Sequence, residues 1–280
     1  MTYTGYECLK IRLEDGVAAV TIDHPPINLF DMKLIEEVDR AGREVEADPD
    51  VRVVIVDSAD PDFFIAHADV ELILSLPTEA SEPPIEPNFF QQMVDRFRTM
   101  PKATIALIEG ICRGGGSELV LSMDMRFAAL GKAVLAQPEV MVGIIPGGSG
   151  TQRLPRLMGR GRALEVILGG DDFSADQAER YGYVNRALPP AEVRPFVINL
   201  ARRIASFSAE AIARAKAAAA AAEPSAEPGL IAEAHLFNEC VATPAARDRM
   251  RAFLDAGGQT REVEANSAAL PGSNALPFTF

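Results

Sequence analysis

RGGGSEL, Arg113 to Leu119, and AQPEVMVGIIPGGSGTQRL, Ala136 to Leu154, are glycine-rich stretches that each carry one glutamate, Glu118 and Glu139. Consecutive glycines before a helix present unobstructed backbone N–H groups to a ligand oxygen, and the helix dipole adds partial positive charge there. That is the raw material of an oxyanion hole. A carboxylate one turn into the same helix, with a second arriving from a later loop, supplies an acid and a base for proton transfer beside the stabilised oxygen. For an isolated Gly-Gly pair a simple tight turn would be the better reading, but here each run opens a helix and sits beside a glutamate.

Outward from these stretches, strand and helix signals alternate. Tyr6 to Leu13 and Val17 to Ile22 read as strands flanking an Asp15-Gly16 hairpin turn. Asp31 is placed to cap a helix through Leu34, Ile35 and Val38, and Val51 to Val56 is a β-branched run typical of a buried strand. Thr104 to Ile108 repeats the strand signal, Ser117 to Met123 reads as helix, and Met125 to Ala129 returns to strand. The alternation predicts an α/β architecture. Pro77, Pro83, Pro84 and Pro87 make the Pro77 to Asn88 segment a loop. From about Ser174 onward the signals are helical. The Ala211 to Glu223 helix is so poor in large side chains that close packing on a neighbour, another subunit included, is expected. The tail beyond Glu264 is expected to be loosely ordered without a partner.

A chain of 280 residues that is 48% hydrophobic can bury a full core. Its formal net charge of −13 argues against nucleic-acid or anionic-membrane partners, which call for basic surfaces. Three cysteines far apart, Cys8, Cys112 and Cys240, suggest neither a disulfide framework nor a zinc site, and fit a cytoplasmic setting. The opening MTYTGYECLKIRLEDG lacks the apolar block of a signal peptide, and no apolar run reaches membrane-spanning length. Neither glycine run is a nucleotide loop. Gly147-Gly148-Ser149-Gly150 is followed by Thr151-Gln152-Arg153 where a P-loop needs lysine, and Leu119 stands where a dinucleotide fingerprint starting at Gly114 needs glycine.

These residues carry a recognisable pattern. Over nearly its whole length, from the hairpin and Pro26-Ile27-Asn28-Leu29 through the helical C-terminal region, the chain resembles the crotonase superfamily of enoyl-CoA hydratases and isomerases. The match is most specific across Pro101-Lys102-Ala103-Thr104-Ile105-Ala106, Gly110, GGGSEL and QPEVMVGIIPGGSGTQRLPRLMG, and continues through Ser174 to Ala178 and Tyr181 to Asn185. The resemblance implies a repeated ββα spiral core over residues 1–205 with an acyl-CoA site, a helical C-terminal trimerisation region over 206–265, and a tail over 266–280. It implies a homotrimer or a dimer of trimers. Coenzyme A would enter as part of the substrate, with no metal or redox cofactor. The oxyanion donors would be the N–H groups of Ala68 and Gly115, preorganised donors of this kind being worth about 3 kcal/mol each in the transition state. Ala66, His67, Asp69, Gly114, Pro138 and Gly147 would complete the substrate site. Glu118 would orient and activate the attacking water, and Glu139 would deliver a proton to the α-carbon.

Some residues depart from the family pattern or have a plainer role. His67 stands where many members have glycine; solvent exposure or a backbone hydrogen bond that braces the loop is its expected role. Arg113 replaces a small or apolar residue and is expected to form a structural ion pair. Asp69 is placed to cap the helix starting at Val70. The cysteines read as small core residues, and His24 and His235 as structural or exposed. Phe253 to Gly258 lacks the basic residues that help hold coenzyme A in many members. The expected activity is hydration of a 2-enoyl-CoA thioester, or its reverse. The alternatives are double-bond isomerisation, another crotonase reaction, or non-catalytic acyl-CoA binding.

Overall fold

The computed structural model describes residues 2–79 and 82–266. Strands β1 (Leu9–Glu14) and β2 (Val17–Ile22) pair antiparallel across Asp15-Gly16, whose φ angles of 50° and 79° are those of a two-residue hairpin turn. Tyr6 precedes the strand it was expected to start. Its hydroxyl donates to Glu44 at 2.9 Å and the Cys8 N–H to Glu37 at 2.8 Å, so helix α1 (Met32–Ala47) takes the hydrogen bonds of this segment. Asp31 caps α1 by accepting the Leu34 N–H at 2.9 Å.

One pattern then repeats: a strand of the main sheet, a short strand of a second sheet, and a helix. The first unit is β3 (Val53–Ser58), β4 (Phe63–Ile65) and α2 (Val70–Leu74). After α3 (Phe89–Thr99) come β5 (Ala103–Ile108), β6 (Ile111–Arg113) and α4 (Gly114–Leu121). The third unit is β7 (Met125–Ala129), β8 (Val134–Ala136) and a 3-10 turn, Glu139–Val142. There follow α5 (Gly150–Met158), α6 (Arg160–Gly169), β9 (Phe173–Ser174), α7 (Ala175–Tyr181) and β10 (Arg186–Leu188). The chain continues through α8 (Pro190–Ala205), α9 (Ala209–Ala220), α10 (Glu227–Ala242), α11 (Pro244–Asp255) and α12 (Arg261–Glu264). The main sheet has the order β1-β2-β3-β5-β7-β10 and is parallel except for β1. The second has the order β4-β6-β8-β9 and is parallel except for β9. This is the expected ββα spiral.

Both faces of the main sheet are covered, which is why its strands read as unbroken apolar runs. Val54, Val56, Ala106 and Ile108 pack with Leu34, Val38, Phe97 and Leu119 on one side. Val53, Ile55, Ile105 and Leu107 face the other side, where α8 brings Val193, Val197 and Ala201. Each large side chain buried there contributes roughly 1.5–3 kcal/mol against the entropy of ordering the chain.

Helix α4 begins at Gly114, earlier than the expected Ser117. A Cβ at Gly116 would lie 2.6 Å from the Ile65 Cβ, so glycine lets the first turn lie directly on β4. Beyond Ser174, where only helices were expected, β10 adds to β7 in parallel. Three residues are too few to show a period. Helix α9 has no fully buried residue, yet its Lys216 reaches the Lys102 carbonyl and the Asp124 carboxylate, each at 2.8 Å. Helices α10 and α11 fold back over the core, where Val241, Ala246, Met250 and Phe253 pack with Val70 and Ile144. The expected tail, apart from Asn266, lies outside the described residues. Among the described residues no helix is long and apolar enough to cross a membrane.

Candidate active site

Arg113 precedes α4 without a side-chain cap, so no cap occupies the first-turn N–H groups, that of Gly115 among them. Gly114 enters the helix at φ +49°, a left-handed conformation suited to glycine. The second expected donor, Ala68, lies in the loop after β4. There Phe30 forms a parallel bridge with Ala68: the Phe30 N–H donates to the His67 carbonyl at 2.9 Å and the Asp69 N–H to the Phe30 carbonyl at 3.2 Å. In a parallel bridge this leaves the Ala68 N–H on the opposite side. A Cβ built on Gly115 would lie 3.6 Å from the Ala68 nitrogen, so the two segments are in close contact.

A cavity of about 290 Å³ opens here, lined by Ala68, Asp69, Gly115, Glu118, Glu139 and Gly147 together with Phe89 and Phe90 from the start of α3. An adjoining recess of about 70 Å³ shares Ala68, Gly115 and Glu139 and adds His67, Gly114 and Pro138. Its remaining wall is mostly apolar, Val70, Ile73, Met141, Val142, Ile144 and Phe253, joined by Arg113 and Glu264. Ala66 is the expected site residue that lines neither. Its N–H donates to the Ile27 carbonyl at 3.2 Å and it packs with Ile27 and Phe63. Asp69 caps α2 as expected, accepting the Glu71 N–H at 2.9 Å.

Glu118 is 4% exposed, and its Oε1 accepts the N–H groups of Gly148 and Gly150 at 2.7 and 2.8 Å. Burial, then the nearby charges of Glu139 and Glu233, push its pKa well above the ordinary carboxylate value, against the pull of those two N–H groups. Burial likewise raises Glu139 to about 8, opposed by its own backbone N–H and by positive charge on His67. Both carboxyl groups face one poorly solvated cavity, where burial disfavours the charged form of each. The arrangement thus brings two carboxyl groups with raised pKa to a cavity that Ala68 and Gly115 also line.

The family model described as enoyl-CoA hydratase/isomerase matches residues 12–260. The chain belongs to the enoyl-CoA hydratase/isomerase family. It is 34% identical over 251 residues to a short-chain-enoyl-CoA hydratase of Clostridium acetobutylicum, covering 88% of this chain and 94% of that one. It is also 34% identical over 252 residues to a crotonyl-CoA hydratase of Syntrophomonas wolfei, covering 89% and 96%. A solved structure from Streptomyces avermitilis, provisionally assigned as an enoyl-CoA hydratase, superposes with a TM-score of 0.88 at 38% identity, covering 96% of this chain and 98% of that one.

Around this candidate site the structure adds residues that the sequence did not single out. The Gln137 amide, oriented by its hydrogen-bond network, donates to Glu139 Oε1 at 3.0 Å and accepts from Ser117 Oγ at 3.0 Å. Ser117 Oγ in turn lies 2.6 Å from the buried Tyr183 hydroxyl. Glu233, 1% exposed, reaches in from α10, accepting the Thr151 N–H at 2.9 Å and the Gln91 amide at 3.0 Å. Burial raises its pKa, opposed by those bonds. Its signal was a glutamate on the same helix face as Leu230, Ala234 and Val241.

His67 is buried rather than solvent-exposed. Its Nδ1 lies 2.8 Å from the Ala68 carbonyl, the bracing contact expected, and its Nε2 lies 3.0 Å from Glu264 Oε1. Arg113 forms the expected ion pair, gripping both oxygens of Asp172 at 2.7 Å. Cys8 and Cys112 are core residues, whereas Cys240 is only partly buried. His24 has a structural partner, Asp31, at 2.8 Å.

Proposed function

We infer that this chain is an enoyl-CoA hydratase that adds water across the 2,3 double bond of a short 2-enoyl-CoA thioester. The carrying observation is a pair of glutamates with raised pKa, Glu118 and Glu139, facing one cavity that Ala68 and Gly115 also line. In this reading the thioester oxygen sits between the two N–H groups. Glu118, as the carboxylate of the pair, takes a proton from water while the water oxygen bonds to the β-carbon. The double-bond electrons move onto the thioester as an enolate, whose developing charge the two donors stabilise more strongly than the ground state. Glu139, as the acid, gives its proton to the α-carbon, and the enolate collapses to the 3-hydroxyacyl thioester. Each glutamate ends in its partner's starting state, and proton exchange resets the pair.

Nothing in these steps calls for a metal or redox group, and coenzyme A acts as the carrier of the acyl group. A short acyl chain is supported by the small apolar recess and by the names of the two 34%-identical relatives. A trimer, or a doubled trimer, is the assembly we propose, supported by Leu157, Leu168 and Phe207, large apolar side chains left exposed on the single chain. Free cysteines fit a cytoplasmic setting.

The test is loss of the conjugated enoyl-thioester absorbance when the purified protein meets crotonyl-CoA, beside a Glu118→Gln, Glu139→Gln control. Turnover that vanishes in the control is the expected result. No turnover by the unaltered protein with any short 2-enoyl-CoA would rule the reading out.

A further inference from the structure

Both nitrogens of the buried His67 ring face acceptors, the Ala68 carbonyl oxygen at 2.8 Å and Glu264 Oε1 at 3.0 Å. A neutral imidazole has one N–H and can satisfy only one of them, so the geometry calls for the doubly protonated ring. Glu264 is itself fully buried, and holds more than His67. Its backbone carbonyl accepts from Arg113 Nη1 at 3.0 Å, and its Oε1 also accepts the Gln259 N–H at 3.0 Å. Gln259 Oε1 then accepts the Val70 N–H at 2.6 Å. Residues 259–264 therefore grip both segments that carry the oxyanion donors. His67 and Val70 flank Ala68 on one side, and Arg113 precedes Gly114-Gly115 on the other.

We propose that His67 and Glu264 are positioning residues for the oxyanion site, through which the C-terminal strap of residues 259–264 sets the spacing of the Ala68 and Gly115 N–H donors. The proposal rests on the acyl-CoA reading above and extends it to a part of the chain that touches no reacting atom. The Ala68 peptide unit is held from three points: the Phe30 N–H on the carbonyl before it, the Phe30 carbonyl on the N–H after it, and the His67 ring on its own carbonyl. Removing the ring frees the last of these. A donor displaced by even half an ångström loses much of its advantage toward the enolate while leaving room for the neutral thioester. The charged groups that face the ring are Glu264 from α12, Arg113 from β6 and Glu139 from the 3-10 turn. The net effect of its surroundings is to raise the His67 pKa: burial pulls it down, and the Glu264 and Ala68 bonds outweigh that.

The test uses acetoacetyl-CoA, a thioester that cannot be hydrated and whose enolate absorbs in the near ultraviolet, together with crotonyl-CoA turnover. His67→Gln and Glu264→Gln are compared with the unaltered protein, and circular dichroism checks that each is folded. Enolate affinity and kcat are expected to fall by about tenfold or more in His67→Gln and less in Glu264→Gln, with the crotonyl-CoA KM within about threefold. The alkaline limb of the His67→Gln pH profile moves upward, because positive charge near Glu139 has been removed. A lesion of general packing would move KM and melting temperature without that pH shift, and would overturn the proposal. So would a folded Glu264→Gln variant with unchanged enolate affinity and kcat. An unaltered protein that neither gives the enolate band nor hydrates crotonyl-CoA would instead sink the acyl-CoA reading on which the proposal rests.

Discussion

The Glu118 carboxylate accepts the Gly150 N–H at 2.8 Å, and this bond joins the two glycine-rich stretches of the chain. One stretch supplies the carboxylate from the first turns of α4; the other supplies the N–H where α5 begins. The bond, with its neighbour from Gly148, falls on Oε1, so the carboxylate is held at one oxygen and takes neither bond at the other. A base fixed in this way needs no reorganisation when water arrives.

Glu118→Gln keeps an oxygen for the two N–H groups and removes the base. The expected outcome is a loss of about 10²–10⁴-fold in kcat for crotonyl-CoA with KM little changed, measured by the decay of enoyl absorbance. A variant within threefold of the unaltered rate would remove Glu118 from the chemistry. Isomerase activity that survives while hydration is lost would mark Glu139 as sufficient for proton transfer alone.

Gly148 stands in a tight place. A Cβ there would lie 2.3 Å from the Phe90 ring and 2.7 Å from Glu118 Oε2. Gly148→Ala must therefore push Phe90 off the cavity or turn Glu118, and is expected to lower kcat at least tenfold while destabilising the fold by about 1–3 kcal/mol. Urea unfolding beside turnover measures both. Gly131, where a Cβ would meet nothing within 4 Å, is the control position, although its φ of +70° adds some backbone strain.

Much of this was legible in the sequence because the informative contacts are local. Asp31 and Asp69 each sit just before an apolar helical run, and both cap it; Val51 to Val56 reads as a buried strand, and the strand runs two residues later, Val53–Ser58. The glycine runs and their glutamates could be read from neighbours a few residues away. What escaped was long-range. Glu264 meets His67 across 197 positions and Glu233 meets Thr151 across 82, and no period or spacing links such pairs. The start of α4 at Gly114 is hidden in the sequence because glycine is a poor helix former, and only the approach of Ile65 to Gly116 explains its use there.

Arg113 is 2% exposed and owes its burial to Asp172 and Glu264. Asp172→Ala removes the bidentate partner and leaves a buried guanidinium with incomplete pairing, for an expected loss of about 3 kcal/mol in chemical denaturation. Since Arg113 lies two residues before Gly115, the proposed donor, kcat should fall as well. A change below about 0.5 kcal/mol would mean that water or Glu264 replaces Asp172 at no net loss.

The raised pKa of Glu139 makes a paired prediction about rate and stability. In the proposed hydration Glu139 is the acid, so kcat should fall as pH rises through about 8, the value to which burial lifts it. For stability the sign follows from proton counting. Between the unfolded carboxylate value near 4.5 and about 8, the folded chain holds a proton that the unfolded chain has released, so stability declines as pH rises across that window. Glu139→Gln cannot ionise and escapes the decline. Its melting temperature relative to the unaltered protein should therefore climb from pH 5 to pH 8 and level off above, even as its turnover is lost at every pH. Scanning calorimetry across that range gives the answer. A difference in melting temperature that stays flat with pH would show that the folded chain holds no extra proton at Glu139, and would return the acid role to Glu118.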